Sequence, residues 1–444
     1  MRTASNLTPW VWVPTLYFAE GVPYFIVNTI SVIMFKNMGM SNGDMAMYTG
    51  LLYLPWVIKP LWSPFVDIIR TKRWWVVTMQ TVMAAAFVIS ALTLPDPSPE
   101  TISSGHVPVS LFSVTLVMFW IAAFASATHD IAADGFYMIA LDSNRQSLFV
   151  GIRSTFYRLA SIFGQGVLVV IAGILETRTG DVPNAWTVTL LLSSVFLACL
   201  TLYHAFVLPN ERPRHVPGPE SAGMTVKGIL EASGRTFVSF FRKKYVWTAI
   251  LFMLLYRLPE AFLMKMMNPF LLDPAEAGGL GLSTENVGIV YGTVGVAALT
   301  VGGIVGGIAA SWMGLRKSLL PMALSMTLPC LTFVYLSIVQ PQSLIVINLC
   351  VLVEQFGYGF GFTAYMLYMI HFSEGEFKTT HYAICTAFMA LSMMLPGMVA
   401  GYMQEWLGYR MFFWMVMVCC LATAAVTIAV ARHVDPAFGK KNSR

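Results

Sequence analysis

The feature that most constrains this chain is a series of long apolar runs that repeats along almost its whole length. The hydrocarbon core of a bilayer is about 30 Å thick, so an α-helix needs about 20 apolar residues to cross it. The sequence contains twelve such runs: 10–35, 45–66, 74–94, 109–140, 147–175, 185–208, 245–272, 286–312, 318–339, 343–372, 380–405 and 409–431. Only 11% of the residues are charged, against about 25% in soluble domains. We therefore predict an all-α membrane protein with about twelve transmembrane helices, numbered here in chain order.

The longest polar interval separates the sixth run from the seventh and spans 209–244. It predicts an N-terminal six-helix bundle (1–208), a cytoplasmic linker and a C-terminal six-helix bundle (245–444). The two halves also resemble each other weakly, since aligning their first helices places Glu20 opposite Glu260. Duplicated halves are a transporter arrangement, because rocking one half against the other exposes a central site to each side of the membrane in turn.

The placement of lysine and arginine predicts the topology. With the N-terminus in the cytoplasm, 19 of these residues fall in cytoplasmic segments and 3 in external loops. Cytoplasmic segments of membrane proteins carry such an excess of basic residues. We therefore predict a multi-pass inner-membrane protein with both termini in the cytoplasm. The same asymmetry accounts for the net charge of +5, so we expect no nucleic-acid partner.

Charged residues inside the apolar runs are the best guide to function. A charge at the centre of a membrane helix costs about 2.5–3.5 kcal/mol on insertion scales, so it should face a cavity or a partner. Predicted helices 3, 9 and 12 have no ionisable residue in their interiors, as expected of helices that face lipid. All the buried acids lie on predicted helices 1, 4, 7 and 10: Glu20, Asp130, Asp134, Glu260 and Glu354.

This distribution resembles that of the major facilitator superfamily, in which the first helix of each three-helix repeat lines a central cavity. The loop from Asp67 to Arg73, between predicted helices 2 and 3, resembles the signature of that superfamily, although Ser63 or Pro64 stands where the signature has its leading glycine. The resemblance implies a pseudo-symmetric 6+6 fold and secondary transport.

Within the superfamily, the chain resembles the AmpG-type muropeptide permeases and their siderophore- and acetyl-CoA-transporting relatives. Three segments carry the resemblance: YFAEGVPY (17–24), LPWVIKPLWSP (54–64) and ATHDIAADGFY (127–137). His129 and Gly135 stand where family members usually have glutamine and alanine. The resemblance implies import of peptidoglycan fragments, meaning anhydro-muramyl sugars with or without peptide. The alternative is import of another bulky solute, such as an iron–siderophore complex.

A cytoplasmic salt-bridge gate is the first predicted part of the mechanism. Asp130 and Asp134 lie one turn apart on predicted helix 4, and Arg153 enters predicted helix 5 from the same side of the membrane. A pair of Asp134 or Asp130 with Arg153 suits a gate that opens in each cycle, and the alternative is a static ion pair. By the resemblance, Asp67 and Arg70 belong to the same gate.

Proton coupling is the second part. No Walker, HExxH or GxSxG motif is present in the sequence, so we expect no enzyme activity, no cofactor and no metal site, and we expect an ion gradient to drive transport. The candidate proton carriers are the five membrane acids, with Asp130 or Asp134 preferred and Glu20 next. For Glu20 and Glu260 the alternative role is to bind backbone groups freed by the neighbouring prolines.

Substrate binding is the third part. Arg158 and Arg257 are candidates because a guanidinium presents a rigid set of donors to a carboxylate or phosphate. Glu354 is a further candidate, and Tyr24 and Tyr256 could stack on a sugar. The alternatives are internal ion pairs for the arginines and plain packing for the tyrosines. We expect Lys265 to extend outward to the membrane surface, the substrate to be an anionic sugar or sugar-peptide, and the protein to be a monomer in the lipid bilayer.

Overall fold

A computed structural model of the chain describes residues 9–141, 143–209, 234–235, 237–375, 377–436 and 438. The regular structure of these residues is helical throughout, and no strand occurs among them. Ten helices in this part of the chain are long and apolar enough to cross a bilayer. The predicted all-α membrane class is therefore confirmed.

The membrane helices are labelled α1 to α12 in chain order. Eight of them are single spans: α1 (Pro9–Asn37), α3 (Lys72–Leu92), α4 (Val109–Ala140), α6 (Val182–Val207), α7 (Val246–Leu272), α8 (Thr284–Met313), α9 (Leu315–Val339) and α10 (Leu344–Ser373). The fifth, α5, consists of Ser143–Ser161, Ile162–Leu168 and Val169–Thr179 in sequence.

Two further passes are recognised from local geometry. The second, α2, is a series of short helices, Asn42–Leu51, Leu54–Ile58, Lys59–Leu61 and Ser63–Ile68. Prolines open the last three of these, and proline has no N–H to continue the hydrogen bonding of a helix. The helix Lys378–Ala431 is really two, because Gly408 has non-helical angles of φ 72° and ψ 160°. We call the part before Gly408 α11 and the part after it α12, which gives the twelve passes predicted.

Several helices depart from regular α geometry within their membrane spans. π-Helical stretches interrupt α1 at Ile26–Ile30, α5 at Ile162–Leu168 and α8 at Gly288–Gly295. The seventh helix, α7, consists of two α segments, and Arg257 lies at the junction with φ −100° and ψ 12°. Such irregularities are frequent at functional sites, and transporters bind their solutes at interrupted helices.

Helices α6 and α12 have the surface expected of helices that face lipid. Their exposed side chains are large and apolar, among them Leu202 and Phe206 in α6 and Val418 and Leu421 in α12. Because apolar side chains in contact with lipid chains need no partner, this exposure agrees with the lack of charge noted in the interior of predicted helix 12.

The first six and last six helices meet closely at the end of the bundle away from the termini. There α2 contacts α11, with the backbone of one against the backbone of the other. A Cβ added to Gly401 would lie 1.8 Å from the carbonyl oxygen of Asn42. Only glycine permits this approach, so the contact depends on the absence of a side chain at residue 401.

The division of the chain at 209–244 stays a prediction. Residues 210–233 and 236 of the predicted linker lie outside the described residues. The even number of passes places both termini on one side of the membrane, whichever side that is.

The topology can be tested with single cysteines in a background without the native six. Ser103 is exposed in the segment between α3 and α4, and Ser221 belongs to the predicted linker. We expect a membrane-impermeant maleimide added to intact cells to label Ser103→Cys and not Ser221→Cys, because the basic residues concentrate on the linker side. Labelling in the opposite pattern would contradict the predicted orientation.

Candidate functional site

The two aspartates of α4 each bind a cation from another helix. Lys59 of α2 forms an ion pair with Asp130. Arg153 of α5 places its Nη2 atom 2.8 Å from Asp134 Oδ1, and the Tyr17 hydroxyl donates to the same oxygen at 3.0 Å. Both aspartates therefore have compensated charges, and the contact with Lys59 is one that the sequence did not predict.

The pair of Asp134 and Arg153 joins α4 to α5, and both helices belong to the first half. The guanidinium carbon of Arg153 also lies 4.4 Å from the centroid of the Tyr17 ring, in a cation–π contact. A pair inside one half cannot by itself hold the two halves together, so its role as a gate stays a prediction. Arg70 is exposed with its guanidinium carbon 5.9 Å from the Trp74 ring centroid, and the side chain of Asp67 lies outside the described residues.

Glu20 joins this cluster from α1. The residue is 8% exposed, and its carboxyl lies within hydrogen-bonding range of that of Asp130. Its Oε2 atom has no hydrogen-bond partner among the described residues. We call this contact the Glu20–Asp130 pair. Two carboxylates repel at such a distance, and a shared proton or a nearby cation removes the repulsion.

The second half contains an equivalent arrangement. Glu260 of α7 and Glu354 of α10 are 1% and 0% exposed, and their carboxyls adjoin each other. Gln355 Nε2 donates to Glu354 Oε2 at 2.8 Å, whereas neither oxygen of Glu260 makes a well-formed hydrogen bond within the described chain. We call this contact the Glu260–Glu354 pair. In each half, an acid on the first helix thus contacts an acid on the fourth.

Two arginines adjoin Tyr358 of α10 from opposite halves. Arg257, 6% exposed, donates to the Tyr358 hydroxyl, and its Nε atom has no partner among the described residues. Arg158 is half-buried near the same tyrosine. Its Nη2 atom lies 3.1 Å from where a Cβ on Gly303 of α8 would stand, so the missing side chain leaves room for the guanidinium. Both predicted arginines therefore retain donors for a solute.

Aromatic rings cluster on the first half beside these arginines. The ring centroid of Tyr24 lies 5.2 Å from that of Trp56, 6.3 Å from that of Tyr157 and 6.4 Å from that of Tyr53. We call these four residues the aromatic platform. Rings of this kind bind the apolar faces of sugars through burial and dispersion.

Tyr256, the other predicted aromatic, has different surroundings. Its ring is fully buried and lies stacked 5.3 Å from that of Tyr365, and its hydroxyl donates to the carbonyl oxygen of Gly361 at 2.9 Å. These contacts are those of a core side chain, which was the alternative considered for it.

Lys265 of α7 does not extend outward as expected. The residue is 6% exposed, and its Nζ donates to Thr49 Oγ1 at 2.9 Å. The expectation was wrong because helix α2 covers this face of α7, which the sequence of α7 alone does not reveal.

A buried polar chain inside the first half was also missed. Gln80 of α3 contacts His129 Nε2 at 2.9 Å and His204 Nδ1 at 3.0 Å, and His204 Nε2 contacts the Thr15 hydroxyl at 3.1 Å. The polar residues in otherwise apolar runs were the only signal for it. No group of three or more metal-binding side chains is found among the described residues.

Polar contacts between the halves cluster at the end away from the termini. Asp273 at the end of α7 binds two residues of the first half, Lys36 at 2.6 Å and Asn42 Nδ2 at 3.2 Å, and it accepts from the Tyr409 hydroxyl of its own half at 2.6 Å. The backbone N–H of Gly43 donates to Glu405 at 2.7 Å. These contacts close this end of the bundle around the close approach at Gly401.

Comparison with known sequences gives a consistent picture. The sequence model of the Major Facilitator Superfamily matches residues 15–380. Putative transporter AmpG 4 of Rickettsia felis is 23% identical over 432 residues, which cover 95% of this chain and 96% of that protein. The anhydromuropeptide permease of Escherichia coli (strain K12) is 24% identical over 410 residues, covering 90% of this chain and 74% of the permease.

Solved structures agree on the architecture. A D-xylose–proton symporter superposes with a TM-score of 0.72 at 12% identity, over 97% of this chain and 99% of the symporter. A bacterial homologue of the human lysosomal transporter Spinster, inward-facing and unoccupied, superposes with a TM-score of 0.68 at 13% identity, over 96% of this chain and 98% of the homologue. At these identities the likeness establishes the fold.

Proposed function

Because the chain belongs to the Major Facilitator Superfamily, whose fold is that of membrane transporters, we propose that it is a secondary active transporter that imports peptidoglycan fragments together with protons. The proposed substrates are anhydro-muramyl sugars, with or without peptide. Relatives named AmpG and anhydromuropeptide permease support this class. We further propose that the protein works as a monomer in the inner membrane, with its termini in the cytoplasm.

The observation that carries the proposal is the free donors of the two arginines beside an aromatic platform. Arg257 contributes an Nε atom without a partner in the described chain, and Arg158 contributes a half-buried guanidinium. A buried cation with free donors suits an acidic solute, because the solute supplies the acceptors that the protein lacks. The platform suits the sugar of the same molecule.

The acid pairs support proton coupling. The proton affinity of two adjoining carboxyls depends on their hydration, which changes when the two halves rock. We propose the Glu20–Asp130 pair as the coupling site, with Asp134 held nearby by Arg153. The Glu260–Glu354 pair, near Arg257, is the second candidate.

The defining experiment is uptake into proteoliposomes under an imposed pH gradient, acidic outside. We expect a radiolabelled anhydro-muramyl tripeptide to accumulate against its gradient, and a protonophore to abolish the accumulation. Accumulation of an iron–siderophore complex instead would favour the alternative substrate. Equilibration of the tripeptide without accumulation would contradict proton coupling.

Arg257→Met should strongly impair binding. The loss of charged hydrogen bonds to a substrate costs about 1.5–3 kcal/mol, or roughly a 10- to 100-fold increase in KM. Arg257→Lys should recover only part of this loss, because lysine keeps the charge and loses the planar fork of donors. Concentration-dependent uptake measures both variants. Arg178→Met, at an exposed residue, is the matched control, and an unchanged KM for Arg257→Met would contradict the assignment.

A further inference from the structure

A second buried cation lies apart from the arginines, at the contact between the two halves. Lys265 of α7 donates to Thr49 of α2 at 2.9 Å, and its Nζ lies 5.9 Å from the ring centroid of Tyr53. No carboxylate forms an ion pair with it in the part of the chain that the structure describes. Asp273, the acid at the end of α7, is already bound to Lys36.

Such a lysine needs an explanation. An ammonium has three donors, and one neutral hydroxyl is a poor replacement for the water it gives up. If the position served only to join α2 to α7, an apolar side chain of similar volume would do so without this penalty. A buried cation that lacks an acid in its own chain is therefore suited to an acid from a solute.

Lys265 lies on the same helix as Arg257 and close to the aromatic platform. Lys265 follows Arg257 by eight residues, which places the two backbones about 12 Å apart along the helix. Tyr53 contacts both Lys265 and Tyr24, so the aromatic platform extends from the arginines toward the lysine. A solute that stacks on the platform could present one acidic group to each cation.

The bond between Lys265 and Thr49 also depends on conformation. Thr49 belongs to the first half and Lys265 to the second, and they meet near the end closed by Asp273 and Gly401. Any movement that opens this end separates the two side chains and frees all three donors of the ammonium.

We propose that Lys265 binds an acidic group of the substrate in the conformation open at this end, and that Thr49 takes the place of that group when the end closes. The inference rests on the proposed function and assigns to it a second anion-binding residue. The preferred substrate is then an extended sugar-peptide with two separate acidic groups, one for Lys265 and one for the arginines.

The test compares two substrates and two directions of transport. Initial rates are measured for Lys265→Met in right-side-out and inside-out vesicles, with an anhydro-muramyl tripeptide and with the same compound carrying amides in place of its peptide carboxylates. When substrate is added on the side of the membrane where α2 meets α7, we expect Lys265→Met to raise the KM for the acid about tenfold. We expect little change for the amide, and little change for either compound from the opposite side.

Two controls separate this role from a structural one. Arg410→Met removes a cation from an exposed position and should alter neither KM. If Lys265→Met does not reach the membrane, Lys265→Gln, which keeps a donor for Thr49, replaces it. Equal increases in KM for the acid and the amide, or from both sides, would overturn the inference while leaving the proposed function intact. Failure of the unaltered protein to transport either compound would instead contradict the proposed function.

Discussion

Replacing Gly401 with leucine is expected to abolish uptake while leaving both halves folded. A Cβ at this position would lie 1.8 Å from the carbonyl oxygen and 2.4 Å from the carbonyl carbon of Asn42. Backbone atoms cannot rotate aside as a side chain can, so α2 and α11 would have to separate. Because these helices belong to opposite halves, the substitution should hold the transporter open at this end.

The measurement is the reactivity of a cysteine at Thr49, which is fully buried beneath the contact. Thr49→Cys should react slowly with a water-soluble maleimide in an otherwise unaltered chain, which opens this end for only part of its cycle, and faster in combination with Gly401→Leu. Gly307→Leu is the matched control, since a Cβ there meets no atom within 4 Å. Normal uptake by Gly401→Leu would show that this contact is not part of the transport cycle.

The fold was predictable because its main determinants are local. Twelve apolar runs follow from the cost of exposing polar groups to lipid, and each can be recognised without knowing its neighbours. Even the irregular second pass follows from Pro55, Pro60 and Pro64. The acids on the first and fourth helix of each half could also be identified from the sequence, because a charged residue stands out in an apolar run.

The partners of these charged residues were harder to predict, because they come from distant parts of the chain. The positions of Asp134 on α4 and Arg153 on α5 predicted that the two residues could pair. Nothing in the sequence predicted the ion pair of Lys59 with Asp130. Lys265 was expected at the membrane surface because its covering helix is more than 200 residues away. Tyr256 was a candidate for the cavity from its helix alone, with plain packing as the alternative, and its rotation about the helix axis places it in the core.

Proton coupling should be lost when Lys59 and Asp130 are neutralised together. Removing Asp130 alone strands a partly buried lysine, and breaking such a pair costs up to about 3–5 kcal/mol when it is fully desolvated. The side chain of Lys59 is 22% exposed, so the cost of removing Asp130 should be smaller here. The combination Lys59→Met with Asp130→Asn avoids this loss and also removes the carboxylate that adjoins Glu20, while Asp134 stays paired with Arg153. We expect it to reach the membrane and to exchange substrate at equal pH on both sides, but not to accumulate substrate under a pH gradient.

Equivalent substitutions elsewhere decide which acids carry the proton. Glu260→Gln with Glu354→Gln neutralises the equivalent pair of the second half, and Asp134→Asn with Arg153→Met neutralises the other ion pair of α4. Counterflow at equal pH gives the exchange rate of each variant, and accumulation under a pH gradient gives its coupling. Normal accumulation by Lys59→Met with Asp130→Asn would exclude the Glu20–Asp130 pair as the coupling site. If only the Glu260–Glu354 variant then lost accumulation while retaining exchange, the proton would be carried in the half that holds Arg257, where neutralising Glu260 would leave Arg257 free to bind the acidic substrate.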